Sequence, residues 1–229
     1  MSYLLHIDTA IASASACLSF KEDVIGLLSN PLQKDSASWI QTGIRQLMEI
    51  ANIQLQQLSA VSISAGPGSY TGLRVGMATA KGLCYALSIP LITISTLKMM
   101  AVAAQNEATD LICPMIDARR MEVFTAIYDK SLEEIISPHN IILEENSFGE
   151  ILKSKRILFF GNGSTKFQAV IKSPNAGFKQ IEANAKQLVT PSFAAYKQRL
   201  FADLVYSEPY YGKAFYSPDF QSSGHKNKI

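Results

Sequence analysis

The sequence predicts an α/β protein of two lobes built on one plan. Two observations carry this reading. Strand-like and helix-like segments run in the order β-β-β-α-β-α-β-α through residues 3–105, and nearly the same order returns through residues 111–201. The chain also suffices for both: 229 residues, 48% apolar and 17% charged, fit one large domain or two small lobes with a real core and exclude a disordered chain. The division falls at 1–106 and 107–229.

In the first half, YLLHIDT (3–9) is an apolar run with strand character, ASACLSF (14–20) alternates, and VIGLLS (24–29) follows the Lys21-Glu22-Asp23 turn. A helix comes next. Trp39, Ile40, Gly43, Ile44, Leu47, Met48 and Ala51 repeat at helical spacing, polar residues fill the other face, and Asp35 or Ser36 can cap the start. AVSISA (60–65) is a short strand, Gly72 to Leu87 a helix, PLITIS (90–95) a strand, and Thr96 to Gln105 a helix.

In the second half, LICPMID (111–117) and EVFTAIYD (122–129) are strands. A third lies in EIISPHNIIL (134–143), where Pro138 confines it to an edge. Phe148 to Lys153 is a short helix, RILFFGNG (156–163) a strand ending in a glycine turn, Ser164 to Lys172 a helix and FKQIEA (178–183) a weak strand. Ala185 to Phe201 is a helix that Pro191 interrupts. Three antiparallel strands followed by right-handed crossovers is the ribonuclease-H-like order. Two such lobes side by side make the ASKHA architecture of actin, Hsp70 and sugar kinases.

The stretch SAGPGSYTGLRVGMATAKGL (64–83) is the densest in glycine and small residues. A glycine turn opening a helix suits a phosphate, but Thr71 stands where the dinucleotide fingerprint needs its third glycine, and no Gly-Lys-Ser/Thr follows as in a Walker A loop. The helix carries two smooth stripes, Gly72-Gly76-Ala80 and Ala78-Gly82-Ala86. Gly76 and Gly82 each cost ~1 kcal/mol of helix stability relative to alanine, so close approach must offset them. Packing on the lobe's own sheet explains one stripe, not both.

The run GPGSYTGLRVGMATAKGL, with IDTA near the N-terminus and PMIDARRMEVFTAIYD in the second half, resembles the bacterial TsaB family, also called YeaZ. The resemblance implies a two-lobed ASKHA protein, a non-catalytic paralogue of TsaD. TsaD puts the threonylcarbamoyl group on the adenosine beside the anticodon of tRNAs reading codons that start with A. It further implies pairing with a TsaD-like partner through helices of the first lobe, and a TsaE-like ATPase joining the pair. The interface expected on this basis comprises Trp39, Gly43, Gly66, Gly68, Thr71, Gly72, Arg74, Gly76 and Ala80, with the Ala78-Gly82-Ala86 face as candidate should the Gly76 stripe pack inward. No cofactor of its own is implied; an adenine nucleotide would sit at the interface with the partners. tRNA would be met only through the complex, and the chain alone could pair with itself.

The residues agree with a scaffold. A TsaD-like catalyst holds a metal with two histidines four residues apart on one helix; Ser36 and Ile40 stand there, and neither ligates well. Asp8 ends the first strand, where an ASKHA kinase keeps a magnesium-linked aspartate, but IDTAIASASA offers no glycine for a phosphate hairpin, so a structural role is expected. Asp117-Ala118-Arg119-Arg120 holds the equivalent place in the second lobe and reads as a turn with a surface salt bridge. Gly161-Asn162-Gly163 could accept an anion. Tyr70 replaces the serine of a G-x-S-x-G elbow. The alternative is a stand-alone ASKHA small-molecule kinase or ATPase, motivated by Asp8 and the 161–163 turn.

Net charge is +2, with scattered basic residues and one cluster, His225-Lys226-Asn227-Lys228, read as a tail; the chain alone carries no electrostatic footprint for nucleic acid. Cys17, Cys84 and Cys113 are far apart and read as buried free thiols in a reducing compartment. The start MSYLLHIDTA lacks a basic region, and no apolar run nears the ~20 residues that span a bilayer. A cytoplasmic protein is expected.

Overall fold

The computed structural model describes residues 2–30 and 36–212, excepting the side chains of residues 36 and 37. The expected caps Asp35 and Ser36 and the basic cluster at 225–228 lie outside this description. Among the described residues, ten strands form two five-stranded sheets, and the two have the same topology.

The first sheet holds β1 (Tyr3–Asp8), β2 (Ser15–Phe20), β3 (Asp23–Ser29), β4 (Leu58–Ser64) and β5 (Leu91–Ile94) in the order β3-β2-β1-β4-β5. The β1–β2 and β2–β3 pairs are antiparallel, and β4 and β5 add in parallel. Central β1 is buried on both faces, which is why it reads as one apolar run rather than an alternation. The second sheet holds β6 (Leu111–Asp117), β7 (Glu122–Asp129), β8 (Glu134–Ile142), β9 (Ile157–Phe160) and β10 (Ala176–Phe178) in the order β10-β9-β6-β7-β8. Pro138 lies in β8, an outer strand, as a residue without an N–H requires. The tenth strand comes earlier than FKQIEA suggests: Ala176–Phe178 pairs with Ile157–Phe159, and Ile181 and Ala183 instead pack beside the second lobe's core. This is the two-lobed ASKHA fold.

Helices α1 (Ser36–Ala51) and α2 (Tyr70–Leu87) cover one face of the first sheet. Ile40, Ile44, Leu47, Met48, Met77, Ala80 and Cys84 meet Leu5, Ile7, Val61 and Ile63 there. The short helices α4 (Gly149–Leu152) and α5 (Ser164–Gln168) cover one face of the second sheet. Phe148, Phe159, Phe167 and Phe178 form an aromatic cluster in that layer, with centroids 4.9–6.3 Å apart.

The remaining helices cross the expected division at residue 106. Helix α3 (Thr96–Ala104) belongs to the first half by sequence, yet Leu97, Met100, Ala101 and Ala104 pack on Ile112, Ala126 and Phe160 of the second sheet. Conversely, α6 (Val189–Lys197) sets Phe193, Ala195 and Tyr196 on Leu4, Ala60 and Ile92, the second face of the first sheet. The interrupted helix predicted from Ala185 is a 3-10 turn, Ala185–Leu188, followed by α6, with Pro191 in the first turn where its missing N–H has no role. After α6 a strap runs back along the first lobe: Ala202 pairs with Leu91, and the Tyr210 N–H donates to the Ala65 carbonyl at 2.7 Å.

Candidate functional site

The glycine turn is packed by the protein's own chain. Gly66 has φ +112°, and a Cβ there would overlap the Tyr210 carbonyl of the strap. A Cβ on Gly68 would overlap the Ala10 carbonyl, which already accepts the Ser69 N–H at 2.8 Å. The Ser69 hydroxyl accepts the Gly72 N–H at 3.2 Å and caps α2. Gly66 and Gly68 therefore serve close backbone approach inside the molecule and do not lie on an open partner surface.

The two stripes of α2 point opposite ways. Gly72, Gly76 and Ala80 face inward: a Cβ on Gly72 would overlap the Thr9 carbonyl, one on Gly76 would overlap Thr9 Oγ1 and lie 2.8 Å from Ile63, and Ala80 is fully buried. Thr9 Oγ1 donates to the Gly72 carbonyl at 2.7 Å, so this stripe is the groove that seats the end of β1. The expectation that Gly72, Gly76 and Ala80 meet a partner is thus corrected. They pack inward because glycine at 72 and 76, with nothing larger than a methyl at 80, lets α2 lie this near β1 and β4. The other stripe, Ala78, Gly82 and Ala86, is exposed. A Cβ added at Gly82 would meet nothing within 4 Å, and Tyr85 beside it is 80% exposed.

On α1, the Trp39 ring lies over Gly43, 2.6 Å from where a Cβ would stand, so Gly43 is the seat of Trp39 and is itself buried. Gln41 of α1 donates to Thr79 Oγ1 of α2 at 2.8 Å. A groove of about 540 Å³ runs between α1, Asn52–Gln56 and Leu83, floored by Ile44 and Met48, with Arg45 and Glu49 at its edge. Ile50 of α1, at 73% exposure, lies outside the lining of this groove.

Thr71 is exposed at the start of α2. Arg74 is exposed too, but engaged: its guanidinium lies 4.1 Å from the Tyr70 ring centroid and 5.9 Å from that of Tyr211, and its Nε donates to the Tyr211 hydroxyl at 3.1 Å. Arg74 thus clamps the strap to α2. Lys81 does the same further along, donating to the carbonyls of Val205 and Ser207. The sequence signal for this clamp is the aromatic pair in EPYYG; its target, far away in the chain, carries no local mark.

The residues weighed for kinase chemistry are engaged within the chain itself. Asp8 is fully buried; its Oδ1 accepts the Ser64 hydroxyl at 2.5 Å and the Ala10 N–H at 3.0 Å, while Oδ2 is buried with no partner among the described residues. Burial pushes its pKa up to about 6, against the opposing pull of the two hydrogen bonds. His6, on the same sheet face, bridges Ser62 at 2.7 Å and Ser19 at 2.9 Å, and burial lowers its pKa to about 3. The Ser19 hydroxyl donates to the Lys21 carbonyl, so it accepts from His6 Nε2–H, and Nδ1 accepts from Ser62. In the 161–163 turn, the Gly163 N–H donates to the Met115 carbonyl, and the Asn162 side chain accepts the Asp117 N–H at 2.9 Å. Asp117 forms the expected salt bridge, to Lys166 at 2.6 Å. Burial raises its pKa, but the hydrogen bonds from Lys166 and the Arg119 N–H, with the Lys166 charge, outweigh that and leave it below the usual carboxylate range. Cys17, Cys84 and Cys113 are free and buried, as expected. Among the described residues, no three His, Cys, Asp or Glu side chains converge, and no helix is long and apolar enough to cross a membrane.

Comparison with known proteins gives a consistent result. Residues 19–208 match the family model described as TsaD, tRNA N6-adenosine threonylcarbamoyltransferase. The chain is 30% identical over 174 residues to the Bacillus subtilis tRNA threonylcarbamoyladenosine biosynthesis protein TsaB, covering 74% of this chain and 75% of that one. It is 37% identical over 185 residues to the TsaB of Buchnera aphidicola from Schizaphis graminum, covering 81% and 73%. The Pseudomonas aeruginosa YeaZ structure superposes with a TM-score of 0.79 at 22% identity over 92% of this chain and all of that one, which shows a shared fold. On the family match and these identities, the chain belongs to the TsaB (YeaZ) family.

Proposed function

We propose that this chain is a non-catalytic subunit of tRNA threonylcarbamoyladenosine biosynthesis. It pairs with a TsaD-like catalytic paralogue and is joined by a TsaE-like ATPase. The observation that carries the reading is the outward face of α2, where Ala78, Gly82 and Ala86 leave bare helix beside exposed Tyr85. A glycine there weakens the helix by ~1 kcal/mol with no internal packing to offset it, and a second helix can lie close against such a surface. The groove beside Ile44 and Met48 would receive the partner's side chains. Support for a non-catalytic role comes from Ile40, which is buried in the core at the position where a TsaD-like catalyst would need a ligand.

Calorimetric titration with the TsaD-like paralogue of the same organism tests the pairing, and no heat of binding would sink it. Modification assays test the rest: the chain alone is inactive, and its omission silences the paralogue. Robust turnover by the lone chain would overturn the scaffold reading. An adenine nucleotide is expected to bind only where the partners meet; tight MgATP binding and turnover by the isolated chain would favour a small-molecule kinase instead. Light scattering is expected to show any homodimer displaced by the paralogue.

A further inference from the structure

The β6–β7 turn of the second lobe carries a feature the scaffold role does not use. Arg119 and Arg120 adopt φ of 70° and 49°, two consecutive left-handed residues, where glycine or asparagine fits with less strain. Both are exposed, and among the described residues neither guanidinium is in an ion pair. The salt bridge expected at this turn is made by Lys166 and uses neither arginine side chain. Asp117 is engaged by Lys166 at 2.6 Å and by the Arg119 backbone N–H, also at 2.6 Å, so its charge is matched without either arginine side chain. Glu122, on the far side of the turn, accepts from Asn140. The turn is built twice over to hold this shape: the Ala118 N–H donates to the Glu122 carbonyl at 3.0 Å, and the Glu122 N–H to the Arg119 carbonyl at 3.1 Å. Two long cationic side chains thus project from a hydrogen-bonded, strained tip, with Lys166 on Asp117 at its base, on the lobe that does not carry the α1–α2 face.

We propose that Arg119 and Arg120 form a phosphate-binding tip that takes the backbone of the RNA substrate. This deepens the proposed function and rests on it. The guanidinium fork fits phosphate oxygens, and a fixed turn sets where along the strand those phosphates lie. Such contacts position the nucleic acid and carry no sequence information. Two arginines are too few to bind RNA tightly alone, in keeping with the low net charge. The tip acts as one edge of a surface completed by the catalytic partner.

The test is the double variant R119G/R120G, studied in complex with the TsaD-like paralogue. Glycine suits both backbone conformations, so the melting temperature is expected to stay or rise. R119N/R120N, which also tolerates left-handed backbone, gives a second variant with the same expectation. The affinity for an unmodified tRNA that reads a codon starting with A is measured by fluorescence anisotropy between about 50 and 300 mM KCl, a range over which phosphate binding weakens steeply. Each phosphate that is no longer neutralised lowers the slope of log K against log salt by about 0.7–0.9, so two lower it by about 1.4–1.8. R119K/R120K keeps most of the slope, and affinity for the paralogue stays within about two-fold of wild type, under 0.5 kcal/mol. An unchanged slope in the glycine and asparagine variants overturns the proposal. So does loss of paralogue binding with tRNA binding intact, which would put the arginines against an acidic protein surface. If the wild-type chain does not pair at all, the titration with the paralogue shows that the scaffold reading itself has failed, and the tip, which rests on it, falls with it.

Discussion

Two glycines six residues apart on α2 should answer oppositely to the same substitution. Alanine gains about 1 kcal/mol of helix propensity at either position. At Gly82 nothing lies within 4 Å of the new methyl, so the gain is kept whole. G82A is expected to be about 1 kcal/mol more stable than wild type, about 2–4 °C in melting temperature for a chain of this size. At Gly76 the methyl overlaps Thr9 Oγ1 and stands 2.8 Å from Ile63 Cδ1. Thr9 is 1% exposed and β-branched, so it escapes only by turning its hydroxyl off the Gly72 carbonyl. That loses about 1 kcal/mol of hydrogen bond, and crowding a full core adds about 1–3 kcal/mol. After the propensity gain, G76A is left about 1–3 kcal/mol less stable than wild type. Urea unfolding followed by circular dichroism, with thermal melts in parallel, measures both. A G76A protein as stable as G82A would refute the inward orientation of this stripe, and with it the assignment of the opposite face to a partner.

The other outcomes follow from the same geometry. G82L keeps the fold but weakens binding to the TsaD-like paralogue at least ten-fold, about 1.4 kcal/mol; unimpaired titration would remove this face from the interface. The pH response should hide two opposed effects. Asp8, with its folded pKa raised to about 6, favours the native state as pH falls below 6, by about 1.4 kcal/mol between pH 8 and pH 5. His6, with its folded pKa lowered to about 3 from 6.5, disfavours it once pH falls below 6.5, by about 2 kcal/mol at pH 5. Wild type is then nearly flat over this range, D8N loses stability on acidification, and H6N gains it; parallel curves for all three, from denaturation at each pH, would contradict the burial argument. F167A removes the centre of the aromatic cluster and should cost about 3–5 kcal/mol, read from the same unfolding curves.

Much of the fold is legible because its signals are local. The apolar run of β1, the glycine turn and its serine cap, and the helical spacing from Trp39 to Ala51 each arise within one segment. Pro138 even marks its strand as an outer one. What could not be read depends on which distant segment arrives. The two stripes of α2 look alike in sequence, and only the arrival of Thr9 makes one of them internal. His6 looks like an ordinary strand residue, and Asp8, though singled out, shows no partner beyond its own hairpin, until Ser62, Ser19 and Ser64 come beside them from other strands. Tyr211 of the strap finds Arg74 across 137 residues of chain, a distance over which spacing carries no information. Arg119 and Arg120 are visible as residues, but their left-handed backbone is not, because arginine does not advertise that conformation as glycine does.

The exchange of α3 and α6 between the halves has a consequence for synthesis. As the chain leaves the ribosome, the first sheet can close one side with α1 and α2, but Leu4, Ala60 and Ile92 stay wet until residues 189–202 emerge. Meanwhile α3 has no floor until β6 and β7 are made. Maturation therefore cannot proceed half by half. Neither part cut at residue 106 is a self-sufficient unit, and a nascent chain stalled short of α6 presents an oily sheet that a holding chaperone would recognise.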